Sequence, residues 1–168
     1  MTPAEFARKW GESTQKERSA AQEHFIDICR MLGVPTPNEA DPTGAWYAFE
    51  KGAGKTGGGD GFADVWKRSH FAWEYKGKRR DLNLAYEQLL RYRDNLENPP
   101  VLVVCDIDRF EVRTNFTNTP TRLYTFDLAD LAKDPAEPMR GLGGKGAWSA
   151  GGAEGDRWRP KAQPEQHC

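Results

Sequence analysis

Residues 57–76 read GGGDGFADVWKRSHFAWEYK. Two runs, Phe62–Lys67 and Phe71–Lys76, alternate in polarity on either side of Lys67-Arg68-Ser69-His70 and read as paired β-strands. Side chains two apart on a strand share a face. Phe62, Asp64 and Trp66 therefore point one way on the first strand, and Ala72, Glu74 and Lys76 on the second. If the strands form a hairpin, Asp64 comes near Glu74, and two carboxylates meet one ammonium. Carboxylate oxygens are hard ligands, and Mg²⁺ usually takes one or two of them plus waters and phosphate oxygens. A lysine beside such a site orients the attacking water. The pattern suits a metal-dependent phosphodiesterase. Taken alone, a Glu-x-Lys pair on a strand is usually a solvated face, and the surroundings along the chain raise the catalytic reading.

The other faces of these strands, with Ala63, Val65, Phe71, Trp73 and Tyr75, are expected to pack into a core. Upstream, Trp46–Lys51 reads as the first strand, and KGAGKTGGGDG (51–61) as a mobile glycine loop. Gly54-Lys55-Thr56 resembles the end of a phosphate-binding loop, but that pattern needs glycine at position 49, which is Phe, and leads into a helix. Nucleotide hydrolysis is rejected on both counts. A short helix over residues 1–11 and a second capped by Ser13 or Thr14 open the chain. Ala21, Phe25, Ile28 and Leu32 share a face of the second, ended by Gly33 and Pro35. Glu17 and His24 lie near that stripe. Glu17 is a candidate to hold a metal-bound water, against the plain reading of a first-turn acid that complements the helix dipole. Residues 34–44 read as a loop.

Downstream, Asp81 caps a helix to about Leu96, with Leu82, Ala85, Leu89, Tyr92 and Leu96 as its apolar stripe. Gln88 and Tyr92, four apart, share a face. Between Lys67 and Arg93 stand eight Lys/Arg against three acids, a local excess that suits a phosphate backbone and that the net charge of −1 conceals. Lys78, Arg79 and Arg80 sit in its middle. Asn98-Pro99-Pro100 resembles the catalytic tetrapeptide of amino-methylating DNA methyltransferases. Its fourth position is Val101 rather than an aromatic, so it reads as a helix stop. Val101–Asp106, Arg109–Thr114 and Arg122–Phe126 follow as strands, and Asp127 caps a short helix to Ala132.

The 168 residues suffice for one domain with a core. Three scattered cysteines and three histidines suggest neither a disulfide framework nor a zinc site. No apolar run approaches a membrane span, so a cytoplasmic, bacterial-type setting without membrane contact is expected. From residue 133 the character changes. Residues 141–155 hold seven glycines, and Trp148 and Trp158 have no local apolar partners. The tail, 133–168, reads as disordered, or as the trace of a truncated reading frame.

The order of elements, with Asp64, Glu74-x-Lys76 and Gln88-x₃-Tyr92, resembles the PD-(D/E)XK nuclease superfamily and its RecB-like branch. Longer phrases are similar to the N-terminal nuclease domain of MmeI-like type IIL restriction–modification enzymes. They are ERSAAQEHFIDICRMLGVPTPNEADPTG (17–44), YAFEK (47–51), GGGDGFADVWKR (57–68), FAWEYKGKRRDLNLAYEQLLRYRDNLENPPVLVVCD (71–106) and RTNFTNT (113–119). The likeness covers about residues 1–132. It implies an α/β fold of restriction-endonuclease type, a central mixed sheet flanked by helices. It also implies Mg²⁺-dependent hydrolysis of double-stranded DNA. Asp64 and Glu74 would ligate the metal, and Lys76 would position the water. Glu17, Gln88, Tyr92, Lys78, Arg79 and Arg80 would support the site or touch DNA. The family continues into a helical linker, an adenine-specific methyltransferase domain using S-adenosylmethionine, and a target-recognition domain, and it belongs to phage defence. The rival expectation is an inactive DNA-binding fragment of such a protein.

Overall fold

The computed structural model describes residues 1–14, 17–54 and 60–133, with the side chains of 17, 18, 53, 54 and 60–62 left aside. Six strands form one sheet in sequential order: β1 (Tyr47–Gly54), β2 (Asp60–Lys67), β3 (Phe71–Tyr75), β4 (Val101–Cys105), β5 (Arg109–Thr114) and β6 (Leu123–Asp127). β3 and β4 are parallel and every other neighbouring pair is antiparallel. The sheet is mixed, and the fold is α/β.

The parallel pair needs a crossover, which α4 (Leu82–Tyr92) supplies. Asp81 caps α4 by accepting from the Asn83 N–H at 2.8 Å. The expected helix to Leu96 instead gives way to a 3₁₀ turn, Asp94–Leu96, because Glu97 and Asn98 turn left-handed at φ 64 and 47. α1 (Pro3–Glu12), α2 (Glu17–Leu32) and α5 (Leu128–Lys133) contribute to the core on the opposite face. Residues 34–44, expected as a loop, contain a short helix α3 (Pro37–Ala40). A reciprocal cap between Thr36 and Glu39, with Pro37 at the first helical position, makes it.

Both faces of the sheet are therefore covered, and all five residues of β3 are buried. On the α1/α2 side Phe25 meets Tyr47, Phe49, Phe71 and Trp73 with ring centroids 5.2–6.5 Å apart. On the α4 side Ala72, Leu102 and Val104 pack under Leu82, Ala85, Leu89 and Tyr92. This corrects the expectation of one apolar and one charged face on β3. It also corrects the placing of Ala63 and Val65 together: Val65 lies in the α2-side core and Ala63 in the α4-side core. The β1–β2 register passes from Phe49↔Val65 to Lys51↔Ala63, and Glu50 between them has φ 50. The register is the same on both sides of Glu50, so the change of face lies within β2 at Asp64, opposite Glu50.

The two strands also run further into the glycine stretch than expected, with Gly52↔Phe62, Ala53↔Gly61 and Gly54↔Asp60 paired. Residues 55–59 lie outside the described residues, as does the tail from 134. Leu32, expected on the buried stripe of α2, is exposed, and Ser13, a proposed cap for α2, closes α1 instead. Among the described residues no helix is long and apolar enough to cross a membrane.

Candidate active site

The site is built on the end of β3 and roofed by α4. β2 pairs with β3 only from Val65↔Trp73 to Lys67↔Phe71. Beyond that the Asp64 carboxylate takes over: its Oδ2 accepts the Tyr75 N–H at 2.6 Å. A side chain thus replaces a backbone acceptor, which satisfies a buried donor. It also fixes Asp64 against the strand that carries Glu74.

Glu74 is buried, 4 % exposed, on the α4 side. Its Oε2 accepts from the Tyr92 hydroxyl at 2.9 Å, and its Oε1 lies 2.8 Å from the Lys76 ammonium. Lys76 also donates to Gln88 Oε1 at 3.2 Å. The Lys76 backbone N–H bonds to the Cys105 carbonyl at 2.8 Å, so the residue is held by β4 as well. Gln88 and Tyr92, one helical turn apart, each reach one member of the Glu74–Lys76 pair. Burial, and next the Asp64 charge, push the Glu74 carboxyl up to about 7, while the bonds from Lys76 and Tyr92 pull it down. A carboxylate kept from its ordinary range by burial and by a second carboxylate is a group that a cation would stabilise.

Asp64, Glu74, Lys76, Gln88 and Tyr92 are thus brought together. Lys78 is not: its ammonium donates to the Trp10 carbonyl at 3.1 Å and pairs with Asp108 at 3.2 Å, tying the turn after β3 to α1. The Arg79 and Arg80 side chains are exposed on that turn. The Glu17 side chain lies outside the described residues. His24 lies in the core on the α1/α2 side, where its Nδ1 shares a hydrogen bond with the Tyr75 hydroxyl at 2.8 Å. It packs against Phe6, Trp10, Tyr75 and Phe110, and burial pushes its pKa down to about 3. It is a neutral core histidine.

A family profile described as "MmeI, N-terminal domain" matches residues 1–143. The chain belongs to that family. No curated protein matches it. Among solved structures the chain is similar to one titled "cryoEM structure DrdV-DNA complex". The TM-score is 0.48 and the identity 12 %, over 83 % of this chain and 14 % of that one. The chain therefore spans about a seventh of the length of that relative.

In this MmeI N-terminal domain the sequence left one cluster unread. Asp106, at the end of β4, is 1 % exposed. Its carboxylate accepts the backbone N–H groups of Arg79 and Arg109 and the Arg109 guanidinium. An acid directly after a buried apolar strand was the available signal. Its partner at position 79 is distant in sequence and only the fold supplies it.

Proposed function

We propose that this chain is a Mg²⁺-dependent DNA phosphodiesterase domain of the PD-(D/E)XK type, with Asp64 and Glu74 as metal ligands and Lys76 as the residue that positions water. The observation that carries the proposal is the convergence of Asp64, Glu74 and Lys76 under Gln88 and Tyr92. The donor set fits the metal. Among the described residues no cluster of three or more His, Cys, Asp or Glu that could hold an ion occurs. Two carboxylates leave the remaining positions of an octahedral ion to water and phosphate oxygens, the usual arrangement for Mg²⁺.

When bound, Mg²⁺ supplies Lewis-acid stabilisation of the charge that builds on the phosphate oxygens. The chain's residues do the rest. Asp64 is oriented by the Tyr75 N–H. Glu74 is oriented by the Tyr92 hydroxyl on one oxygen and by Lys76 on the other. The Lys76 ammonium, steered by Glu74 and Gln88, offers a donor with which to hold a water in line with the phosphorus. α4 closes the site from above, which shortens the list of water positions. In a longer protein the cleavage would be directed by methyltransferase and target-recognition domains in cis, placing the chain in restriction–modification and phage defence.

The test is metal binding. Mg²⁺ should raise the melting temperature of the wild type and leave that of Asp64→Asn unchanged. Equal Mg²⁺ responses in both would sink the assignment of the ligands.

A further inference from the structure

The turn Gly77–Arg80 leaves the site directly after Lys76, and its shape is imposed from outside. Arg79 has φ 63, a region that L residues other than glycine rarely adopt. Its N–H is held by Asp106 Oδ2 at 3.1 Å. The Arg80 N–H bonds to the Gly77 carbonyl at 3.1 Å, and the Arg80 carbonyl accepts from Arg109 Nη2 at 3.0 Å. Arg109 is itself locked to Asp106, with its backbone N–H 2.8 Å from Oδ1 and its Nε and Nη2 2.8 and 2.6 Å from Oδ2. A buried carboxylate and a guanidinium thus clamp the turn from the β4–β5 side.

The three cations of the turn have different fates. Lys78 is spent on Trp10 and Asp108. The guanidiniums of Arg79 and Arg80 are exposed, and neither has a hydrogen-bond or ion-pair partner among the described residues. Asp106, the acid beside them, is neutralised by Arg109. Two planar, permanently charged forks are therefore displayed from a backbone that does not have to be ordered on binding. Such a pre-set fork matches two phosphate oxygens at once.

We propose that Arg79 and Arg80 grip backbone phosphates of duplex DNA beside the site, that Lys78 does not, and that Asp106 and Arg109 are positioning residues for that grip. The inference rests on the nuclease reading of the neighbouring site for the identity of the ligand. A turn that merely joins β3 to α4 would use the same anchor, and the two readings separate in binding.

The experiment is anisotropy of the full chain with a short random-sequence DNA duplex in EDTA, over a series of salt concentrations, alongside melting curves. Arg79→Gly should raise the melting temperature, because glycine takes positive φ freely. It should also weaken binding and reduce the slope of log Kd against log salt by about one. Arg80→Gln should reduce the slope by about one with the melting temperature unchanged. Lys78→Gln should lower the melting temperature and keep the wild-type slope. Wild-type slopes in Arg79→Gly and Arg80→Gln overturn the proposal, as does an equal loss in Lys78→Gln or the absence of salt-dependent binding by the wild type. Because no metal is present, that failure leaves the nuclease reading to be judged by cleavage alone.

Discussion

Tyr92 donates its phenolic hydrogen to Glu74 Oε2 at 2.9 Å, joining α4 to the buried end of β3. With Lys76 on Oε1, both oxygens of a nearly dry carboxyl have partners. Tyr92→Phe keeps the ring that fills the α4-side core and removes the donor to Glu74, together with the oxygen that Gln88 bonds. A hydrogen bond to a charged group contributes roughly 1.5–3 kcal/mol, so the melting temperature should fall measurably above neutral pH. The Glu74 carboxyl should also rise above about 7, since this bond pulls it down. The acid limb of a cleavage pH profile should move to higher pH, and an unmoved limb would show that Glu74 does not control it.

Glu74 gives the fold a pH dependence of definite sign. Its carboxyl is raised from 4.5 to about 7 in the folded chain. The folded state therefore holds a proton that the unfolded state releases, and its contribution is fully present below pH about 4.5 and lost as pH rises through about 7. The span corresponds to on the order of 3 kcal/mol. His24, buried with its pKa pushed down to about 3, acts with the opposite sign over much of the same range, so the Glu74 contribution is read as the difference between the wild type and Glu74→Gln. In denaturant titrations that difference should fall as pH rises through about 7 in metal-free buffer, and Mg²⁺ should reduce the fall. Parallel pH profiles of the wild type and Glu74→Gln over this window contradict the assignment.

Gln88 reaches the lysine of the site at 3.2 Å and also hydrogen-bonds the Tyr92 hydroxyl. Gln88→Ala should leave the fold and DNA affinity in place and lower the cleavage rate roughly ten- to hundredfold, the effect of a misplaced reacting group. Single-turnover kinetics check this. An unchanged rate would mean that Glu74 alone steers Lys76.

Asp41 governs acid stability at the other end of the molecule. Burial opposes its ionisation. The backbone N–H of Trp46, the Thr43 hydroxyl and the N–H groups of Tyr47 and Thr43 outweigh that and hold the carboxyl far below its usual range. The sign is opposite to that of Glu74: stability is present above pH about 3.8 and is lost as pH falls through the folded value. Asp41→Asn should melt earlier than the wild type at neutral pH, with the gap closing in strong acid. A gap that persists unchanged in acid would point to lost geometry rather than lost charge.

Much of this was legible in the sequence for physical reasons. β2 and β3 stood out because alternation and a four-residue turn are local signals. Glu74 and Lys76 had to share a face because a strand repeats every two residues. Gln88 and Tyr92 had to share one because a helix returns after four. What sequence could not supply was long-range. The burial of β3 on both faces follows from its central place in the sheet, which no window on residues 71–75 reveals. The change of face within β2 at Asp64 separates Ala63 and Val65 into cores on opposite sides of the sheet, which only the packed helices reveal. The anchoring of the 77–80 turn needs Asp106, and the spending of Lys78 needs Trp10 and Asp108, all far away along the chain. α3 was local and readable: Thr36-Pro37-x-Glu39 is a capping signature, masked by the surrounding prolines and glycine.

The central claim is that Asp64, Glu74 and Lys76 form a working phosphodiesterase site. The direct measurement is nicking of supercoiled plasmid DNA by the full chain with Mg²⁺, comparing the wild type with Lys76→Ala at matched folding. The account predicts Mg²⁺-dependent nicking by the wild type that EDTA abolishes and Lys76→Ala lacks. Nicking retained in Lys76→Ala would contradict it, and so would a wild type that binds plasmid DNA yet leaves it intact with Mg²⁺ present, the behaviour of an inactive DNA-binding fragment.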